Sequence, residues 1–585
     1  MISRKTFMQA GSLRAARFFL APAILVCTAP VWAQADQPEA ASGFTPRPAV
    51  IGAGFMAVTA NGYATDAAAE ILQLGGNALD AAIAAQWVLN LVEPQSAGIG
   101  GGGFLLHWDQ QRRRVSAWDG RETAPRVASA DFAARPDGGP ASLYEMLATG
   151  KAVGVPGLVA VLEAAHRRHG KLSWERLFRP AIRLAENGFA VSPRLHQLLR
   201  DDPLLRRDAA ARVLYYMESG EARPVGELLR NPELAATLRR IAADGSAALQ
   251  RGDVAQRVVA AVDQRGGNLS AMDMSDYRPK QRKPVCGPFR RWRICGMPPP
   301  SSGGIGVLQL MGMLERSGLP PGDPATPDAA HIFAEAGRLV YADRARYLAD
   351  PDFISVPHKE MLDSRYLDQR ARLIDFRRSM GVAPPGELPP RIARADDDAP
   401  ELPATTHVSI VDRDGNAVAL TSSIESAFGS RIQAAGFMLN NQLTDFSLTA
   451  EQDGKLVANR LQPGKRPLSS MAPTFVFDAG GRLHAVLGSP GGSRIINYVA
   501  RTLVALLDGR QAPAEAVALA HVGSRNGATE VERGRVPDVL TLELERRGHE
   551  VRRVEMTSGL HLIVRVAGGW MGAVDPRREG VARGN

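Results

Sequence analysis

Residues 405–424, TTHVSIVDRDGNAVALTSSI, constrain this chain more than any other stretch. They read as two β-branched strands joined at Asp414 and Gly415, because Gly accepts the positive φ that a tight hairpin turn requires. Upstream, residues 381–403 are rich in Pro and Asp and show no apolar period. Such a composition cannot bury enough surface to offset its ordering entropy, so it predicts a mobile approach to a rigid strand. If the chain were cut before Thr405, that threonine would become an amino terminus held on a sheet. A free α-amine beside a hydroxyl is one way to activate it as a nucleophile. Taken alone, residues 403–410 read more simply as a loop entering an ordinary strand.

The amino terminus points to export. Arg4, Lys5, Arg14 and Arg17 precede an apolar run at 18–31, and small residues at 31–33 and 33–35 offer cleavage points. Residues 1–35 therefore read as a secretory signal peptide, too short in its apolar part for the ~20 residues of a spanning helix. Val26 makes Cys27 a poor lipid-anchor site, so a periplasmic or secreted protein with no stable membrane anchor is expected. The formal charge of +9 comes from scattered Arg rather than blocks, which argues against a nucleic-acid partner. Cys286 and Cys295 flank GPFRRWRI. A turn at Arg290 and Arg291 would set them opposite each other, as a disulfide in an oxidising exterior or as two free thiols. Neither CxxC nor HExxH spacing occurs, so the sequence makes no case for a metal.

Residues 57–93 read as helices interrupted at Gly75, Gly76 and Asn77. The run at 98–103 contains a literal GxGxxG, but a helix precedes it and a strand follows, the reverse of a dinucleotide-binding turn. Those glycines instead allow close backbone approach, beside a ligand or another element. Arg121 follows a strand and is either a solvated residue or a bidentate carboxylate clamp. Residues 154–193 read as helix, turn, helix, with Ser173 as N-cap and Gly188 as stop. Further helices are predicted at 305–316 and 328–349. GSPGGSR at 488–494 opens a helix at 495–507, and consecutive glycines there present backbone N–H groups suited to an oxyanion.

Eight motifs, GIGGGGF, DGRETAP, MPPPSSGG, the 405–424 hairpin, NNQLTD, KRPLSSMAPT, GSPGGSRI and DPRREG, run in this order over residues 50–583. Together they resemble the γ-glutamyltransferase family. The resemblance implies an α/β fold, the four-layer αββα sandwich of N-terminal-nucleophile hydrolases, in a precursor that cuts itself between Ala404 and Thr405. The large subunit would be 36–404 and the small subunit 405–585, paired as a heterodimer. It further implies Thr405 as nucleophile, Ser423 as the hydroxyl beside its amine, and Gly491 and Gly492 as the oxyanion hole. Arg121, Ser469 and Ser470 would hold the substrate α-carboxylate, and Asp445 its α-ammonium, with Gln442 lining the pocket. No cofactor or metal is implied. The substrates would be γ-glutamyl compounds such as glutathione, with water or an amino acid as acceptor.

Glu425 departs from the pattern, because well-known members carry Asn there. An ionised Glu cannot donate to a carboxylate. Either Glu425 turns to the α-ammonium beside Asp445, or the substrate differs, as in a glutaryl- or cephalosporin-acylase-like amidase. The segment between Phe446 and Lys465 looks short and lacks aromatic residues, which predicts an open site. Ala404 before the cut should be tolerated, since it contributes only its carbonyl. An inactive homologue serving as an extracytoplasmic binding protein is a further reading.

Overall fold

The computed structural model describes residues 41–129, 132, 143–388, 394–400, 402 and 404–585. The expected signal peptide lies outside them. Two seven-stranded antiparallel sheets form the centre. The first runs, in spatial order, Val581–Gly584, Met56–Thr59, Thr406–Val411, Ala417–Ser423, Gly102–Asp109, Arg114–Asp119 and Lys280–Arg282. The second runs Val50–Gly52, Gly569–Val574, His561–Val566, Leu483–Gly488, Thr474–Phe477, Trp292–Gly296 and Val285–Phe289.

Alternation along the strands explains the four layers. In Thr406–Val411, Val408 and Ile410 join a core that includes Ala82, Val88 and Leu89 of the helix Ala78–Val92. Val411 points the other way, into a core shared with Phe475 and Ile563 of the second sheet. Helices Gly303–Arg316, Pro327–Tyr347 and Ile495–Leu507 contribute to that second core and close the far side. Each buried Val or Ile contributes about 1.5–3 kcal/mol. A one-residue slip would exchange these faces, so the register is strongly set. It also fixes the side of the sheet on which Thr405 emerges, level with His407 and Ser409, which faces the second sheet.

The hairpin forms as its sequence requires, with Val411 opposite Ala417 and Gly415 at φ 82°. Asp412 Oδ1 accepts from the backbone N of Asp414 and Asn416, each at 2.9 Å. Its Oδ2 accepts from Ala78 N at 3.0 Å. The carboxylate thereby ties the turn to the N-terminus of a helix, where negative charge is favoured.

Several expectations need correction. Residues 56–59 form a strand rather than the start of a helix, because the central sheet pairs them on both sides with Thr406–Val411 and Val581–Gly584. Ser173 stands before a 3₁₀ turn, Trp174–Phe178, and makes no side-chain cap. The described part of 381–403 is docked, not free. Ala395 N donates to Leu456 O, and Asp397 N to Ala345 O. Asp398 accepts from Leu448 N at 2.8 Å and Thr449 Oγ at 3.0 Å. The aspartates that deny this segment a core supply the acceptors that hold it down. Cys286 and Cys295 pair directly across their hairpin, and their sulfurs are bonded.

Candidate active site

Thr405 lies where the docked segment meets the central strand, and both it and Ala404 are buried. The Thr405 hydroxyl donates to the Ala404 carbonyl oxygen at 2.7 Å. The Ser423 hydroxyl donates to the same oxygen at 2.6 Å, and the two hydroxyl oxygens are 3.3 Å apart. Ser423 reaches this position because its strand pairs with Thr406–Val411, placing Ser422 opposite Thr406. The predicted close approach at the glycine run is real: a Cβ on Gly101 would lie 2.2 Å from Ser423 O.

All the site residues read from the sequence, except Ala404 and Gly491, line one pocket, together with Leu402, Met471 and Ile495. Gly491 precedes Gly492 in the turn beside it. Gly491 has φ 133°, and a Cβ there would come 2.5 Å from Tyr498 Cε2. Only glycine fits. Ser469 is tied to the turn before the helix Gly303–Arg316, its carbonyl accepting from Ser302 N at 2.7 Å and Ser302 Oγ at 2.8 Å. Ser470 lines the pocket beside it.

The pocket is strongly charged. Arg121 Nη2 contacts Asp445 Oδ2 at 2.5 Å and donates to Leu468 O at 2.7 Å. Gln442 Nε2 donates to the same Asp445 oxygen at 2.7 Å. Among the described residues, Asp445 Oδ1 is buried without a partner. Burial pushes the Asp445 carboxyl upward, while Arg121 opposes that shift. Glu425 sits at φ 81°, an uncommon conformation for a non-glycine residue and one that clusters at functional sites. Its N donates to Ser423 Oγ at 2.9 Å, its Oε1 accepts from Leu402 N at 2.9 Å, and its Oε2 accepts from Asn441 Nδ2. Burial, reinforced by the negative charge of Asp445, pushes the Glu425 carboxyl up to about 8. A carboxyl pushed that far up favours its neutral form near pH 7, unlike the ionised Glu assumed from the sequence.

The site is also less open than the short 446–465 segment predicted. In the uncut chain Arg121, Thr405, Glu425 and Asp445 are all buried. The docked residues contact the 446–465 segment, and Asn459 Nδ2 bridges Asp397 Oδ2 at 3.1 Å and Asp445 O at 2.7 Å. Three supporting residues escaped the sequence reading. Asn441 holds Glu425, Asn459 holds Asp445, and Tyr277 Oη donates to Arg121 O at 2.8 Å. The paired asparagines at 440 and 441 were a visible signal, whereas nothing local distinguishes Tyr277.

One cluster could be considered for a metal: His331, Glu335 and His549, whose ligand atoms lie within 4.8 Å of one another. Their contacts are internal. His331 Nδ1 and His549 Nε2 are 2.7 Å apart, and Glu335 is already held by Arg338 Nε at 2.9 Å and Met380 N at 2.7 Å. A guanidinium at that carboxylate makes it a poor cation site.

Residues 64–585 match the family model described as gamma-glutamyltranspeptidase. A glutathione hydrolase proenzyme of Escherichia coli (strain K12) is 36% identical over 536 residues, covering 89% of this chain and 90% of that protein. An acylase ACY 1 proenzyme of Pseudomonas sp. (strain V22) is 33% identical over 523 residues, covering 86% and 88%. Among solved structures, a cephalosporin acylase from Bacillus halodurans superposes with a TM-score of 0.80 at 26% identity, covering 92% of this chain and 97% of that one.

Proposed function

Since this chain belongs to the γ-glutamyltranspeptidase family, we propose that it is an exported, self-cutting enzyme that transfers γ-glutamyl groups from glutathione and related amides to water or an amino acid. The observation that carries this reading is the placement of the Thr405 and Ser423 hydroxyls on the Ala404 carbonyl oxygen, at 2.7 and 2.6 Å. In the first step Thr405 Oγ attacks the Ala404 carbonyl carbon. Ser423 steadies the oxyanion, the Oγ proton passes to the departing Thr405 nitrogen, and an ester replaces the peptide bond. Water then hydrolyses the ester, leaving a carboxylate on Ala404 and a free α-amine on Thr405. The products are the large subunit 36–404 and the small subunit 405–585, held as a heterodimer by the sheet they share.

Turnover reuses the same atoms. The freed amine, with a reference pKa of about 7.7–8, takes the proton as Thr405 Oγ attacks the γ-carbonyl, then returns it to the leaving amine. Gly491 and Gly492 N–H groups receive the oxyanion. Water or an amino acid finally resolves the γ-glutamyl ester. Arg121, Ser469 and Ser470 take the α-carboxylate. The unpartnered Asp445 Oδ1 takes the α-ammonium. Glu425 loses Leu402 as its partner once the docked segment withdraws, and then faces the same ammonium, whose charge favours its ionisation.

A second reading, an acylase acting on glutaryl-type substrates, is favoured by Glu425 and by the acylase likenesses. Asp445 weighs against it, since a substrate without an ammonium leaves a buried carboxylate unanswered. Hydrolysis of a γ-glutamyl anilide should exceed that of its glutaryl analogue at least tenfold in kcat/KM. Faster glutaryl cleavage would overturn the main reading in favour of the second. A single uncut band from the wild-type protein would overturn both and leave a binding protein.

A further inference from the structure

At the opposite end of the strand that leads to Arg121 lies a second polar cavity, of about 180 Å³, which the γ-glutamyl chemistry does not use. The seven residue steps from Arg114 to Arg121 put the two sites about 23 Å apart along extended chain, at ~3.3 Å per step. Strand alternation builds the floor. Arg114 and Ser116 share a face with their cross-strand partners Asp109 and His107. The last turn of the helix Leu158–His169 adds Arg168 and His169 as one wall, with Arg112 and Gln281 at the rim.

The lining is one-sided in chemistry. Three guanidiniums, Arg112, Arg114 and Arg168, face one carboxylate, and Asp109 is already taken by Arg112 N and Nη1, each at 2.8 Å. Gln281 Oε1 is likewise taken by Arg168 Nη1 at 3.1 Å. Among the described residues, the lining atoms Ser116 Oγ and His169 Nε2 are buried and unpartnered; the His169 ring stacks at 4.2 Å on His107, which lies behind the lining. Ser116 is only 6% exposed. Burying such groups without partners costs free energy, and a ligand would recover it. Burial and the three nearby arginines, Arg168 foremost, hold His169 below its ordinary range, and its neutral ring donates or accepts by tautomer. A cavity that offers positive charge and hydrogen-bond donors, with its Asp109 and Gln281 oxygens occupied, suits a compact anion.

We propose that this cavity binds a tetrahedral oxyanion of the phosphate, sulfate or phosphomonoester class. The test titrates the full-length protein with sodium phosphate by calorimetry, holding ionic strength constant with sodium chloride. Saturable one-site binding is expected. It should weaken at least tenfold in an Arg114→Gln/Arg168→Gln variant, and several-fold in Ser116→Ala. The two arginines are exposed, so their replacement should leave the Tm without phosphate unchanged. Sedimentation with phosphatidic acid vesicles, against phosphatidylcholine vesicles, separates the sources. Vesicle binding lost in the double variant assigns a lipid-borne phosphate, and response to free phosphate alone assigns a soluble one. No saturable signal in either arm, or equal binding by the double variant, overturns the site.

Discussion

Glu425 offers a quantitative test of the pocket's electrostatics. Its carboxyl is pushed from 4.5 to about 8, first by burial and then by Asp445. A group whose folded pKa is raised contributes most below its unfolded value and loses that contribution as pH rises through the folded value. Between pH 5 and pH 8.5 the folded state should therefore lose up to about 4 kcal/mol, at ~1.4 kcal/mol per pKa unit. This is a ceiling, since water admitted on ionisation relaxes the cost. Gln cannot ionise and should remove the loss, at a pH-independent cost, because its single oxygen can accept from only one of the two donors, Leu402 N and Asn441 Nδ2. The comparison is best made on the Thr405→Ala chain, where the bond between Ala404 and Thr405 stays intact and Leu402 remains on Glu425. Unfolding entropy of about 2.1 cal/mol/K per residue makes 1 kcal/mol worth roughly 1 °C in a chain of this length. The Tm of Thr405→Ala/Glu425→Gln relative to Thr405→Ala should thus rise by roughly 3 °C between pH 5 and pH 8.5. A gap that is the same at both pH values would refute the claim that Glu425 is held neutral.

Three further outcomes follow from the geometry. Ser423→Ala removes a donor to Ala404 O and the acceptor of Glu425 N. It should slow self-cutting about 10²-fold, read by the rate at which the small fragment appears on a denaturing gel, and Ser423→Thr should restore it. Gly491→Ala forces a side chain into a φ of 133° and against Tyr498. A chain that still cuts should lose about 10²–10³ in kcat, and wild-type turnover would remove Gly491 from the oxyanion role. Cys286→Ser/Cys295→Ser opens a loop with a sequence separation of 9. It should lower stability by about 2–3 kcal/mol on loop entropy, measured by thermal unfolding against the oxidised parent. An unchanged Tm would mean that the β-hairpin alone holds that edge.

What the sequence could and could not convey has a physical basis in particular residues. The central hairpin was legible because Val408, Ile410, Val418 and Leu420 alternate cleanly, and because Gly415 can take the turn's positive φ. The strand Met56–Thr59 was not, since four buried residues running into a helix carry no period of their own. The site residues came from motifs, but the state of Glu425 did not. It depends on Asn441, Asp445 and Leu402, brought together only by the fold. The docked segment before Thr405 is the most instructive case. Composition correctly says that residues 381–403 cannot build a core, and it is silent on whether another surface will capture them. Capture here is partly polar: Asp397 is half-buried and accepts from Asn459 Nδ2, and burial pushes its carboxyl up to about 6, while Ala383 and Leu388 join the second core. Such contacts add little for a free peptide. They suffice when Leu402 lies only four residues before the strand Thr406–Val411, because a short tether keeps the local concentration high. A cut after Ala404 would remove that tether and leave the contacts unchanged, so the segment's hold on the pocket should then weaken by loss of effective concentration alone.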